Sequence, residues 1–422
     1  MSFTKPLKFY FLVDCNQFFV SCQQVFDPQL LNKPVVVLSN NDGCVVARSK
    51  EAKALNIPMG APAYQFAEVF KAQKVHVLSS NYTLYADMSR RVMETLSQFS
   101  VDMEEYSIDE AFLSISSSDL SNFAHTIRRT VQQWTGIPVS IGVGSTKTLA
   151  KVANDIAKKN GGVFVFTSDV HIDEILEKLD PQDIWGVGRN LAADLKNRGI
   201  WNGKTLKEAP DDWIKKQFSV TLLRTVYELR GISCLESSHF PVPRKSIVCS
   251  RSFRHRLTQL ADVDEALCSY TATAAKRLRE ENLLPSFLTV FLMTSLHISQ
   301  PYSNSWTLTL AEPTAFTPEL TLRAKEALRK IFRPGYVYKK VGIVLGGFSP
   351  KNNYQPDLFA SCEKQNTRQK RAIEALDSVN KKFGNNTLRF AAEGISQPWK
   401  MAKDHLSPCY TTSWADILKI KI

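Results

Sequence analysis

From residue 7 to about residue 166, apolar runs of strand length alternate with stretches whose apolar residues recur at helical spacing. Such alternation calls for sheets covered by helices, an α/β or α+β domain, because each apolar strand must bury its side chains against another layer. LKFYFLVD (7–14) reads as a buried strand ending on an acid, 17–25 as a short helix behind it, and Val35 to Leu38 as a second apolar strand. SNNDGCVVARSKEAKALNIPMGAP then reads as a Gly-containing turn leading into a helix stopped by Pro58 and Gly60. Leu84, Met88, Val92 and Leu96 set a helix over 82–99, and 101–116 reads as two short strands around a tight turn. A helix over 119–135, a strand over 138–143, a basic helix over 146–159 and a strand over 163–166 complete the pattern.

Beyond it the period changes. Residues 170–232 keep helical spacing throughout, and the polar, Pro-containing 236–245 reads as a linker. Two βαβ-like halves follow: strand 246–253, helix 263–281 and strand 286–294, then strand 306–310, helix 318–332 and strand 337–347. From about Ser349 the chain becomes a more polar tail with weaker element signals. A chain of 422 residues exceeds what one core supports, so two to four domains are expected.

The net charge of +12 is unevenly placed. Residues 1–166 carry +2 and 167–243 carry −2, whereas 244–350 carry +7 (15 basic, 8 acidic) and 351–422 carry +5 (12 basic, 7 acidic). A basic excess gathered in one segment is the footprint of a polyanion binder, with a solvated basic surface as the alternative. The run Phe9 to Val13 ends at Asp14, too short for a signal segment or a membrane span. Eight cysteines form no Cys-x-x-Cys pair and no zinc-spaced cluster, which reads as reduced thiols of a cytoplasmic protein.

The chemistry gathers around three acids. EEYSIDEAFLSI (104–115) sets Asp109 beside Glu110, and neighbouring side chains of a regular strand point to opposite faces. Both can address one centre only if the pair sits at a bend between two strands. With Asp14 at the end of the first strand, three carboxylates could hold two divalent cations ~4 Å apart, the arrangement of in-line phosphoryl transfer. Mg²⁺ suits such hard oxygen ligands; turn and capping carboxylates are the alternative. GVGRNLAADLKNRGI fits a helix–hairpin–helix whose Gly186-Val187-Gly188 turn offers backbone N–H groups to a phosphate. The helix from Thr146 carries Lys147, Lys151, Lys158 and Lys159, cations that a triphosphate would need.

DCNQFFVSCQ, KPVVVLSNNDGCVVARSKEAKALNIPMG, SSNYTLYADMSRRVMETL, EEYSIDEAF, TKTLAKVAN, DIWGVGRNL, CSRSF and YTT occur in order from about residue 9 to the C-terminus. Together they resemble the Y-family translesion DNA polymerases of the UmuC type. The resemblance implies a multidomain α+β right hand: palm (1–31 and 79–168), fingers (32–78), thumb with helix–hairpin–helix (169–235), linker (236–245), little finger (246–349) and a tail (350–422). It implies that Asp14, Asp109, Glu110 and the main-chain carbonyl of Cys15 bind two Mg²⁺ ions, with deoxynucleoside triphosphates as substrates. Phe19, beside Phe18 in the nucleotide site, matches the steric gate that crowds a ribose 2′-OH; many relatives have Tyr there.

In the fingers helix Ala47, Lys50 and Lys53 match the family's triphosphate-contacting positions, and Lys158 matches the palm lysine. Arg251, Arg254 and Arg256 become candidate DNA-backbone contacts of the little finger. Gln355, Leu358 and Phe359 resemble a sliding-clamp-binding peptide. The implied activity is error-prone translesion synthesis in the SOS response, without proofreading. The implied partners are primer-template DNA, a processed UmuD-type dimer, RecA and the sliding clamp, in the bacterial cytoplasm at the nucleoid, with no membrane partner. A non-enzymatic DNA-binding accessory protein and a two-metal nuclease are the competing readings, and primer extension separates all three.

Overall fold

The computed structural model of the chain describes residues 8–166, 168–235, 243–351 and 363–417, with 363–367 by backbone alone. The chain divides into one unit of Met1–Ser39, Gly43–Pro241 and His405–Ile422 and another of Asn40–Asp42 and Val242–Asp404.

The first unit is built on β1 (Phe9–Cys15), whose residues are nearly all buried because it is the middle strand of a five-stranded sheet. Helix α1 (Phe18–Phe26) follows it, then β2 (Val35–Leu38), β3 (Val45–Arg48), α2 (Lys50–Ala54), α3 (Ala67–Ala72) and β4 (His76–Ser79). Helix α4 (Tyr82–Leu96) leads to β5 (Met103–Glu105), β6 (Glu110–Ile115), α5 (Leu120–Thr135), β7 (Val139–Gly144), α6 (Lys147–Ala157) and β8 (Val163–Val165). The large sheet runs β5-β6-β1-β7-β8, with β1 antiparallel to both neighbours. Alternation along β1 divides its side chains. Phe11 and Val13 join the core with Leu84, Met88 and Ile127 from α4 and α5, whereas Tyr10 and Leu12 pack with Phe112 and Ala150 on the α6 side. Each such fully buried apolar side chain contributes about 1.5–3 kcal/mol.

Glycine lets α6 lie close to the sheet. A Cβ on Gly142 would sit 2.1 Å from the Asn154 backbone nitrogen, and one on Gly144 2.7 Å from that of Ala150. Asn154 Nδ2 fastens the contact, donating to the Leu12 and Ser140 carbonyls at 3.1 and 2.8 Å.

Strands β3-β2-β4 form a small sheet of their own, with a core that includes Val36, Val45, Ile57 and Phe70. Here the observed elements differ from expectation. Strand β3 stands where only a turn into a helix was read, and α3 and β4 had not been anticipated.

Helices α7 (Asp169–Lys178), α8 (Arg189–Asn197), α9 (Gly203–Glu208), α10 (Asp211–Gln217) and α11 (Val220–Leu229) form a helical subdomain around Leu176, Leu195, Leu206 and Val226. The buried Glu228 joins it to α6: its carboxylate accepts from the Thr148, Cys234 and Leu235 amides at 3.0, 2.7 and 3.2 Å.

In the second unit β9 (Ser246–Leu257), α12 (Leu260–Glu280), β10 (Leu283–Thr294), β11 (Ser303–Thr309), α13 (Thr317–Ile331) and β12 (Tyr338–Pro350) form a sheet ordered β11-β10-β12-β9. All three neighbouring pairs are antiparallel, so the two strands of each βαβ-like half run parallel with another strand beside them. The tail carries far more structure than its polarity suggested. Helix α14 (Glu363–Phe383) packs on this unit, where Arg279 grips Asp377 through two bonds of 2.7 and 2.8 Å, and the buried Trp399 donates to Glu265. Residues from His405 belong to the first unit: the Ser79 amide donates to the His405 carbonyl at 2.9 Å, the His405 amide donates to the Ser79 hydroxyl at 3.0 Å, and Tyr410 stacks on Phe26 at 5.0 Å. Gln355, Leu358 and Phe359 lie outside the described residues, as does most of the expected linker.

Candidate active site

The sheet register brings two of the three acids together. Asp14 at the end of β1 is the cross-strand partner of Glu110, the first residue of β6, and paired side chains of neighbouring strands share a face. Both lie on the face covered by α6. Asp109 is not in regular strand at all. It sits in the turn 106–109 between β5 and β6, and its carbonyl accepts from the Cys15 amide at 2.9 Å. Ser107 organises that turn: its hydroxyl accepts from the Asp109 and Glu110 amides at 3.3 and 3.1 Å and donates to the Asp109 carboxylate at 2.6 Å.

Asp14 and Asp109 line a cleft of about 660 Å³, together with Cys15, Phe18, Phe19, Lys50, Lys53 and Lys158. Glu110 instead faces a smaller cavity of about 220 Å³ next to it, with Lys151, Asn154, Asp155 and Lys158. Each acid of the pair holds a lysine: Lys158 Nζ stands 2.7 Å from Asp14 Oδ2, and Lys151 Nζ 3.0 Å from Glu110 Oε2. Burial pushes the Asp14 carboxyl up to about 7; Lys158 pulls it down, and the hydrogen-bonded Glu110 carboxylate pushes it up again.

Among the described residues no three Asp, Glu, His or Cys side chains converge tightly enough to hold a metal ion. The two carboxylates facing each other, with Asp109 in the adjoining cleft, nevertheless fit a hard divalent cation in kind. Their donors are all oxygens, the kind of ligand such a cation takes. Asp109 would complete the set on leaving the Ser107 hydroxyl.

The turn from β1 into α1 sets the aromatic wall. Gln17 holds a left-handed conformation (φ 49°) that costs a non-glycine residue of order 1 kcal/mol, and α1 starts immediately after it. Phe18 is buried, so only an edge of it reaches the cleft. Phe19 is half-buried and stacks on Tyr85 with centroids 4.2 Å apart and planes 10° from parallel, while Tyr82 meets it edge-on. The opposite wall departs from expectation. Ala47 lies on β3, whereas Lys50 and Lys53 are exposed residues of α2, so the three do not share one helix. Arg48, at the end of β3, also lines the cleft and bonds to the Ile57 carbonyl; the sequence reading missed it because its strand had been read as a turn.

Two further expectations need correction. Lys147 is buried against Glu104 at 2.6 Å and is not a cation for a triphosphate. Lys159 is not among the residues lining either cavity. Gly186 has φ 90°, which only glycine adopts without strain, Val187 is buried, and Gly188 caps α8; the leading arm of this hairpin is a short 3₁₀ turn at Pro181–Asp183. Arg254 and Arg256 are exposed in the part of β9 where its pairing with β12 slips, with Arg254 paired to Asp404 at 3.1 Å. Arg251, in the regularly paired part of the strand and in step with Ile247 and Cys249, is half-buried and donates to the Ser250 carbonyl.

The palm-like sheet with its acids, the helical subdomain and the antiparallel sheet of the second unit are the architecture of the Y-family DNA polymerases. A Y-family DNA polymerase chimera of Dbh and Dpo4 superposes with a TM-score of 0.65 over 80% of this chain and 98% of that one, at 21% identity. Residues 13–155 match the impB/mucB/samB family and residues 244–358 its C-terminal domain; 370–420 match a domain of unknown function. The chain belongs to the impB/mucB/samB family, and within it is similar to UmuC of Salmonella typhimurium, 42% identical over 97% of this chain and 99% of that protein. DNA polymerase IV of Picrophilus torridus is 33% identical over 52% of this chain and 64% of its own length. By fold and family the chain is a Y-family, DNA-directed DNA polymerase.

Proposed function

We propose that the chain performs error-prone translesion synthesis in the SOS response, adding deoxynucleotides to a primer 3′ end without proofreading. The observation that carries this reading is the Asp14–Glu110 cross-strand pair beside a cleft whose walls are an aromatic ring and a row of cations. Two Mg²⁺ ions held by Asp14, Asp109, Glu110 and the Cys15 carbonyl would supply the positive charge that phosphoryl transfer requires. Lys158, Lys53, Lys50 and Arg48 hold and neutralise the triphosphate, the lysines as point charges and Arg48 by its planar fork. Phe19, fixed by its stack on Tyr85, presents a rigid wall to the sugar and excludes a 2′-OH.

The hairpin at Gly186, Val187 and Gly188 grips DNA phosphates through backbone amides, and Arg254 and Arg256 add contacts from the basic second unit. Primer-template DNA, a processed UmuD-type dimer, RecA and the sliding clamp, reached through Gln355, Leu358 and Phe359, are the partners in this reading. The test is extension of a primer across a template lesion with Mg²⁺, four deoxynucleotides and those partners. Extended product supports a polymerase; shortened DNA identifies a nuclease, and neither product leaves a DNA-binding protein without catalysis.

A further inference from the structure

Lys151, read from sequence as one of the triphosphate's cations, lines the smaller cavity beside Glu110 and not the cleft, and has a setting of its own. It projects from α6 with its ammonium 3.0 Å from Glu110 Oε2, 4.4 Å from the Tyr106 ring centroid and 5.3 Å from that of Trp185. The two rings are themselves fixed: Trp185 Nε1 donates to the Tyr106 hydroxyl at 3.2 Å, and the rings meet edge-to-face at 5.4 Å. Phe112 backs Trp185 at 5.9 Å. The ammonium is thus held from three sides, by one carboxylate and two π-faces, in a partly desolvated place where both attractions are strong. Beside it the buried Asn154 Oδ1 has no hydrogen-bond partner among the described residues.

We propose that Lys151 is a positioning residue for Glu110: it occupies the carboxylate's cation position until a divalent ion arrives, and the Tyr106–Trp185 pair retains its ammonium afterwards. The inference rests on the two-metal reading of the acids. Lys151 is in competition with a metal for Glu110, yet it keeps that carboxylate aligned with Asp14 in the ion-free protein. Trp185 directly precedes Gly186, so the same contact links the hairpin to the acid.

Terbium(III) titrated into the DNA-free full chain tests this, with luminescence excited through the neighbouring aromatic rings as the readout. Lys151→Met removes the competing charge and should tighten Tb³⁺ binding roughly fivefold, whereas Lys151→Arg, whose planar fork holds a carboxylate more firmly, should weaken it. Trp185→Phe weakens the π-face that retains the displaced ammonium and should weaken Tb³⁺ binding roughly twofold, opposite to Lys151→Met. In a Glu110→Gln background the Lys151 variants should bind Tb³⁺ alike. If Met, Lys and Arg give one affinity, or the reverse order, the proposal fails. Should Lys151→Met not fold, the weakening by Lys151→Arg carries the test alone. Loss of primer extension by the wild type, with the Tb³⁺ order intact, would overturn the polymerase reading and leave this one standing.

Discussion

Asp14 is an acid held where ionisation is costly. Its carboxyl stands at about 7 against an ordinary 3.8, chiefly through burial. Between those values the folded chain keeps a proton that the unfolded chain has released, so stability falls as pH rises through that window. Asp14→Asn removes the charge. In metal-free buffer it should melt several degrees above the wild type at pH 8, the difference fading toward pH 4; equal midpoints at both pH values would contradict the burial argument. Phe19 makes a second statement at this scale. Phe19→Ala opens the sugar wall and should raise ribonucleotide incorporation relative to deoxynucleotide by at least about tenfold, read as the ratio of the two kcat/KM values. Phe19→Tyr preserves the stack on Tyr85 and should keep discrimination.

The decisive element is α6, because its approach to the sheet sets lysines beside acids. Gly142 permits that approach, and Gly142→Ala should destabilise the chain by about 3 kcal/mol or more, measured by denaturant unfolding, since the methyl meets backbone rather than a movable side chain. The strands and helices around the acids were legible in sequence because β1, β6 and β7 are short apolar runs bounded by turns, and α4 and α5 keep a clean helical period. The bend at Asp109 could be argued from adjacency alone. What escaped was set by pairing at a distance: β3 and β4 are four-residue strands with no internal period, and α14 is a polar helix whose Arg279–Asp377 contact joins residues far apart in sequence. For the same reason Lys147, on α6, read as a cation for the triphosphate, while its partner Glu104 lies on β5, far off in sequence.

Over the whole molecule, charge is segregated: the excess of basic residues beyond 244 suits a phosphate backbone. Affinity for primed DNA should therefore fall steeply with salt, and the double substitution Arg254→Ala with Arg256→Ala should reduce the slope of log K against log salt by roughly 2. An unchanged slope would remove both arginines from the interface. No helix among the described residues is long and apolar enough to cross a membrane. The region matching a domain of unknown function supplies most of α14, the buried Trp399 and the segment that reaches Ser79, so its described residues are folded structure and not a loose tail. The most direct test of the catalytic centre compares wild type with Asp14→Ala, Asp109→Ala and Glu110→Ala in primer extension on a lesion template with Mg²⁺ and the accessory partners. Each variant should bind primed DNA normally and extend it at least about a thousandfold more slowly than wild type. Extension by Asp109→Ala at the wild-type rate would contradict the three-acid centre.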